Sequence, residues 1–355
     1  MNSELELCLK HLKALIACDT SNPPKHIQAS GLLEYLDSLS YLNPSIVDLG
    51  DGSFNILLKK GQPKYLFNVH LDTVPAGDGW LTDPWTLTVS NDQAVGLGAC
   101  DIKGAAACLL TLIELGLENY AVLFSTDEEA GQSQCIKAFL ATQPNFDGVI
   151  VSEPTNNLGV TCHRGIFTGT QQFSGISGHS SDYRAMQDNA VHKLTHWCHA
   201  ALESARSFDD QQIGPLRGLA FNLGIIEGGI KPNIIADSAS VKFGFRPLPG
   251  QSVEKILDAI NACSTHNEAH FTPGFVAPAL PADGDVKTLE LMVKTLGLQP
   301  SEPVNFWTEA SLFSQAGLPA IVFGPGNITN AHQPNEHVDL MQLSEALSIY
   351  RGIVQ

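Results

Sequence analysis

Two histidines and a set of carboxylates stand where short apolar runs end. His70-Leu71-Asp72 follows the run 65–69, Asp127-Glu128-Glu129 follows 121–125, and Glu153 follows 148–152. His332 comes a few residues after Gly324-Pro325-Gly326, which closes the run 320–323. A further acid, Asp101, opens the helical stretch 102–116. Imidazole and carboxylate together suit Zn²⁺, with Co²⁺ or Mn²⁺ as substitutes. Several ionised carboxylates in one cleft repel, and raise one another's pKa, unless cations neutralise them. The economical reading is a carboxylate-bridged centre of two divalent metals. Asp101 is the natural bridge; His70 and Glu153 complete one site, and Glu129 and His332 the other. Asp72, two residues from His70, is placed to orient its imidazole. Just past a strand, neighbouring side chains diverge, so Glu129 goes to metal and Glu128 is left as general base.

Each motif has a plainer reading alone. An Asp two residues after a strand-end His often only hydrogen-bonds it. An Asp-Glu-Glu triplet is usually a solvated turn or a helix start, and Asp101 alone reads as a helix N-cap. Their joint placement after successive strands favours metal, because ligands of an open α/β sheet collect at the carboxyl ends of its strands.

The elements that must do this positioning are legible as alternating patterns. Leu5, Cys8, Leu9, Leu12, Leu15 and Ile16 have helical spacing, and a second helix is expected over 27–40. Apolar runs at 54–59, 65–70, 121–125 and 148–152 alternate with helical stretches near 102–116 and 132–143, the texture of a layered α/β sheet. From about 167 the pattern becomes antiparallel strands (167–175, 219–227, 234–246) with helices near 186–206 and 251–263. Helix, helix, strand and helix then return at 285–296, 308–315, 320–323 and 342–353. The fold class expected is α/β. A layered catalytic domain with a central mixed sheet flanked by helices takes residues 1–166 and 280–355. A smaller α+β domain with an antiparallel sheet is inserted at 167–279.

Composition narrows the partners. The 355 residues carry 20 Lys and Arg against 37 Asp and Glu, a formal charge of −17. Such a chain repels phosphate backbones, so neither nucleic acid nor an anionic membrane is expected as partner. No apolar run approaches a membrane-spanning length, and the acidic start Met1-Asn2-Ser3-Glu4 lacks the pattern of a signal peptide. The 8 cysteines form no C-x-x-C pair and sit in apolar contexts, which reads as buried thiols in a reducing, cytoplasmic compartment.

Five stretches carry a resemblance: Val69-His-Leu-Asp-Thr-Val-Pro75, Gly96-Leu-Gly-Ala-Cys-Asp-Ile-Lys-Gly104, Asp127-Glu-Glu-Ala130, Ser152-Glu-Pro-Thr155 and Gly324-Pro-Gly-Asn-Ile-Thr-Asn-Ala-His-Gln-Pro334. They resemble the dinuclear-zinc deacylase and carboxypeptidase family along essentially the whole chain. Asp19-Thr-Ser-Asn-Pro-Pro24, Thr308-Glu-Ala310 and Phe245-Arg-Pro-Leu-Pro249 resemble its acetylornithine deacetylase branch, which includes acetylcitrulline deacetylases. The resemblance implies the same ligands and the same base, Glu128, with two metals, zinc foremost and cobalt possible. It further implies that His179, in Gly178-His-Ser-Ser181, helps stabilise the oxyanion, and that Asn233 and Arg246 hold the substrate α-carboxylate, an anion an Arg fork fits with two hydrogen bonds. It implies a homodimer through the inserted domain. The implied reaction removes acetate from N-acetyl-L-ornithine, or N-acetyl-L-citrulline, in arginine biosynthesis. A dipeptidase or broader aminoacylase, and a catalytically silent amino-acid binder, are the alternatives. Trp307 and Glu309 are candidates for side-chain selectivity.

Other motifs carry less. Gly96-x-Gly98 has Asp101 where a dinucleotide loop needs its third glycine. Gly175-Ile-Ser-Gly-His179 lacks the closing glycine of a nucleophile elbow. His192, His196 and His199 share a helix face, but Val191, Leu194, Trp197 and Ala201 opposite make that helix simply amphipathic. Cys100 has no cationic neighbour to activate it as a nucleophile.

Overall fold

The computed structural model describes residues 3–22, 27, 30–263 and 269–355. The chain forms two compact units, one of Met1–Thr161, Asp285–Ser301 and Thr308–Gln355, the other of Cys162–Gly284 and Glu302–Trp307.

The first unit is built on a six-stranded mixed sheet, in the order Ser45–Asp48, Phe54–Lys60, Tyr120–Ser125, Tyr65–His70, Gly148–Val151, Ala320–Val322. The first two strands run antiparallel to each other and Phe54–Lys60 runs antiparallel to Tyr120–Ser125; the last four are mutually parallel. Leu66, Phe67 and Val69 of the central strand are wholly buried, as expected where helices cover both faces of parallel strands. On one face Phe67 meets Tyr350 edge-on at 5.1 Å. There the helices Ser3–Ala17, Gly104–Glu114 and Leu340–Val354 pack together. Ala105, Ala106 and Ala107 let the second of these lie close to its neighbours, and all its residues but Glu114 are buried. On the other face Gln134–Leu140 packs with Ala310–Gln315, Phe139 against Phe313.

The second unit has a four-stranded antiparallel sheet, in the order Ala220–Gly228, Ser238–Arg246, Ile166–Ser174, Ala269–Ala277. Alternation puts Phe167, Phe173, Val241, Phe243 and Phe245 on one face, under the helices Ala190–Arg206 and Val253–Asn261. Phe167 stacks on Phe245 at 4.5 Å, and Trp197 of the longer helix lies 5.2 Å from Phe243. Each buried aromatic contributes about 2–3 kcal/mol by leaving water, so this core is what holds the unit together.

Several elements depart from expectation. The helix expected over 27–40 is realised as Leu32–Ser38, and residues 28 and 29 lie outside the described residues. The run 234–246 is two pieces: Ile234–Ile235 pairs with Gly178–His179, and the long strand starts at Ser238. The strand Ala269–Ala277, interrupted at Pro273, and a small sheet of Thr88–Ser90, Gln93–Val95 and His337–Asp339 had no sequence signal. No helix among the described residues is long and apolar enough to cross a membrane.

Candidate metal centre

The four parallel strands of the first unit end at one edge of its sheet, and the chemistry-bearing residues gather there. His70 closes its strand opposite Ser125. Its Nδ1 donates to the main-chain carbonyl of Asp72 at 2.9 Å, which turns Nε2 into the cluster, 2.9 Å from Asp101 Oδ1 and 3.5 Å from Glu153 Oε1. His332 approaches from the other side, its Nε2 3.2 Å from Asp101 Oδ2 and 3.0 Å from Glu129 Oε1. The two oxygens of Asp101 thus face two different imidazoles. Three sets of donor atoms lie within 4.8 Å of one another: His70, Asp101 and Glu153; Asp101, Glu129 and His332; and His70, Glu128 and Glu129.

Asp101 reaches this point on an irregular turn. Gly98 takes φ +77°, and a side chain there would meet Thr73 at 2.7 Å, so glycine is required on both counts. Asp101 itself is extended (φ −121°, ψ 87°). The regular helix begins only at Gly104, and Asp101 makes no side-chain cap for it, so the reading of Asp101 as an N-cap does not apply. His332 has φ +59°, a left-handed conformation that costs a non-glycine residue roughly 1–2 kcal/mol; its imidazole is the group so placed.

Asp72 acts through both of its ends. Its carbonyl takes the His70 proton, while Oδ1 stands 3.6 Å from that ring. The carboxylate accepts the amides of Glu128 and Glu129 at 3.3 and 3.0 Å and the Asn22 side-chain amide at 3.0 Å. One buried residue therefore fixes the His70 ring and the backbone that carries both glutamates. Asp127 is spent on structure, accepting the amides of Gln134 and Cys135.

The electrostatics fit a cation. Burial opposes ionisation of Asp101, yet hydrogen bonds from His332 and His70 hold its carboxyl well below the usual range. Burial pushes Glu128 and Glu153 well up, with neighbouring carboxylates adding to it. Burial disfavours a charged His70, but Glu153 and Asp101 outweigh it and raise its pKa. Hydrogen bonds to Asp101 and Glu129 push His332 up to about 11. The site draws positive charge onto both imidazoles, a demand that divalent ions on this donor set would meet.

The remaining candidates are divided between the two units. His179 and Asn233 are brought together in the second unit: Ile234 pairs with His179, and the Ser180 amide bonds the Asn233 carbonyl at 3.1 Å. His179 is exposed, its Nδ1 2.7 Å from Ser181 Oγ. Arg246 stands at the far end of Ser238–Arg246, lining with Thr168, Asn222 and Lys242 a trough of about 630 Å³ on the open sheet face. Trp307 packs edge-on against Phe275 in the second unit. Glu309 belongs to the first unit, buried, accepting from Ser125 Oγ at 3.1 Å, and pushed up to about 8 by burial. On the helix Ala190–Arg206, Leu194, Trp197 and Ala201 are buried while His196 and His199 are exposed. The Cys100 thiol is buried 3.2 Å from the Asn327 carbonyl, and burial pushes its pKa up, away from nucleophilic use.

Two residues of the site escaped sequence reading. Asn22 holds Asp72, and Glu336 accepts the amides of Gly98, Cys100 and Asp101. The sequence carries no signal for Glu336, whose partners are backbone amides of the irregular Gly96–Asp101 turn that need an acceptor.

Comparison with known proteins gives the chain relatives along its whole length. The model of Peptidase family M20/M25/M40 matches residues 66–355. The chain is 41% identical over 363 residues to N-acetyl-L-citrulline deacetylase of Xanthomonas campestris pv. campestris, covering 100% of this chain and 99% of that one. It is 32% identical over 305 residues to acetylornithine deacetylase of Pectobacterium carotovorum subsp. carotovorum, covering 81% and 79%. Among solved structures, the M20 family metallo-carboxypeptidase Sso-CP2 from Sulfolobus solfataricus shares the fold, with TM-score 0.78, 16% identity and coverage of 100% and 99%.

Proposed function

The chain belongs to the M20/M25/M40 peptidase family of metal-binding hydrolases, and on that premise we propose that it removes the acetyl group from an N-acetyl amino acid. The observation that carries the proposal is the division of Asp101 between His70 and His332, with Glu153 and Glu129 completing the two donor sets. We assign these five residues as ligands of two divalent ions, zinc first and cobalt as an alternative. When bound, such ions lower the pKa of a water and polarise an amide carbonyl.

The residues of the chain do the rest. Glu128 accepts a proton from the attacking water and delivers it to the leaving amine nitrogen, so that water and amide become acetate and free amine. Burial, which raises the Glu128 pKa, suits a carboxyl that must hold a proton between the two steps. Asp72 keeps Glu128 and Glu129 in register by their backbone amides. His179, for the oxyanion, and Asn233 and Arg246, for the α-carboxylate, are proposed on their motifs alone, as is a homodimer through the second unit. The buried thiols support a cytoplasmic location.

Similarity over the full chain to an N-acetyl-L-citrulline deacetylase supports N-acetyl-L-citrulline as the first substrate to test, beside N-acetyl-L-ornithine, whose deacetylases also match; either would place the enzyme in arginine biosynthesis. Acetate release from the two compounds, assayed side by side with zinc or cobalt, tests the reading. Faster metal-dependent release from the citrulline derivative is expected. Release from neither, with metal bound, would overturn the substrate class.

A further inference from the structure

Glu336 is 2% exposed and lies four residues after His332, on the segment that leads into the small strand His337–Asp339. Its Oε1 accepts the amides of Cys100 and Asp101, both at 2.9 Å, and its Oε2 accepts the amide of Gly98 at 3.0 Å. Its main-chain carbonyl takes the Gly96 amide at 3.0 Å, and the following residues pair with Gln93–Val95. The turn that presents Asp101 is neither strand nor regular helix, so three of its amides would be buried without an acceptor if this carboxylate were absent. An unmet buried amide bears its full desolvation penalty, and here the groups at stake include the amide of Asp101 itself.

We propose that Glu336 is a positioning residue of the metal centre: it locks the peptide bearing the bridging carboxylate to the segment bearing His332, and so sets the angle at which Asp101 divides its two oxygens. The inference rests on the two-metal reading of the same site. Glu336 is none of the five assigned ligands; it acts through the backbone of one. Nothing in its sequence surroundings, His332-Gln-Pro-Asn-Glu336, distinguishes it from a solvated turn acid.

The test is Glu336→Gln, with Glu336→Asp as a second variant. Glutamine keeps one oxygen for the Cys100 and Asp101 amides but turns an amide group toward the Gly98 N–H, donor against donor. Aspartate keeps the charge but loses reach. Each is stripped of metal, titrated with cobalt, and examined by electron paramagnetic resonance for coupling between the two ions, beside kcat and KM. Expected for either variant is a 10–100-fold weaker second cobalt, reduced coupling, and a 10–100-fold lower kcat with KM changed less than about 3-fold. A folded variant with two coupled cobalts and unchanged kcat overturns the inference, whatever its Tm, because the role is then only structural. A wild-type chain that binds fewer than two cobalts removes the centre, and both readings with it. Two coupled cobalts in the wild type beside an unchanged variant remove this inference alone.

Discussion

Asp127, Glu128 and Glu129 are adjacent in sequence and do three different jobs. Asp127 satisfies the amides that open the helix Gln134–Leu140. Glu129 meets His332. Glu128 stays beside His70 and Glu129, in the third donor set. This is the divergence that a position just past a strand allows, made rigid by Asp72, whose two carboxylate oxygens each take one of the glutamate amides. The expected result for Glu128→Gln follows. The variant retains its metal and its KM for the N-acetyl amino acid, while kcat falls about 10²–10⁴-fold, the contribution of a positioned general base. Metal analysis and steady-state kinetics on one preparation check it, and near-wild-type turnover would transfer the role to another residue.

At the scale of elements, the strands that carry ligands were legible because buried parallel strands read as continuous apolar runs, and the acids and histidines stand where those runs stop. The helices with long apolar stripes, Ser3–Ala17 and Leu340–Val354, were legible for the same reason. What escaped was short or contradictory locally. Strands of three residues are too short to show a period: Thr88–Ser90 pairs with its neighbour Gln93–Val95, and His337–Asp339 joins that hairpin from far along the chain. Pro273 disguised the edge strand Ala269–Ala277, and a proline is tolerated there because an edge has an unpaired side. Glu336 escaped because its partners are backbone amides, which sequence does not display. One element also carries a pH signature. His163 lies wholly buried just ahead of Ile166–Ser174, its Nδ1 donating to the Arg164 carbonyl, and burial lowers its pKa from 6.5 to about 4. Between those values the unfolded chain binds the extra proton, so this contribution is present above pH 6.5 and is lost as pH falls toward 4. The full window is worth on the order of 3 kcal/mol. In urea unfolding, His163→Gln should therefore lose less stability than the wild type between pH 7 and pH 4; parallel losses would contradict it.

At the scale of the whole molecule, a chain of formal charge −17 concentrates part of its acidity in one partly buried cluster, where Asp101, Glu153, Glu128 and Glu129 crowd around two imidazoles. Crowding of that kind is tolerable for a protein that binds divalent cations, and binding to the folded form stabilises it by mass action. The family membership, the full-length similarity to a deacetylase and the divided Asp101 all lead to the same chemistry. The most direct test counts metal and turnover together: the chain is stripped with a chelator, zinc is returned in steps, and acetate release from N-acetyl-L-citrulline is followed at each step. Release is expected to vanish on stripping and to reach its plateau at two zinc ions per chain. Undiminished release from the stripped chain, or a plateau reached with one ion per chain, would contradict the two-metal account.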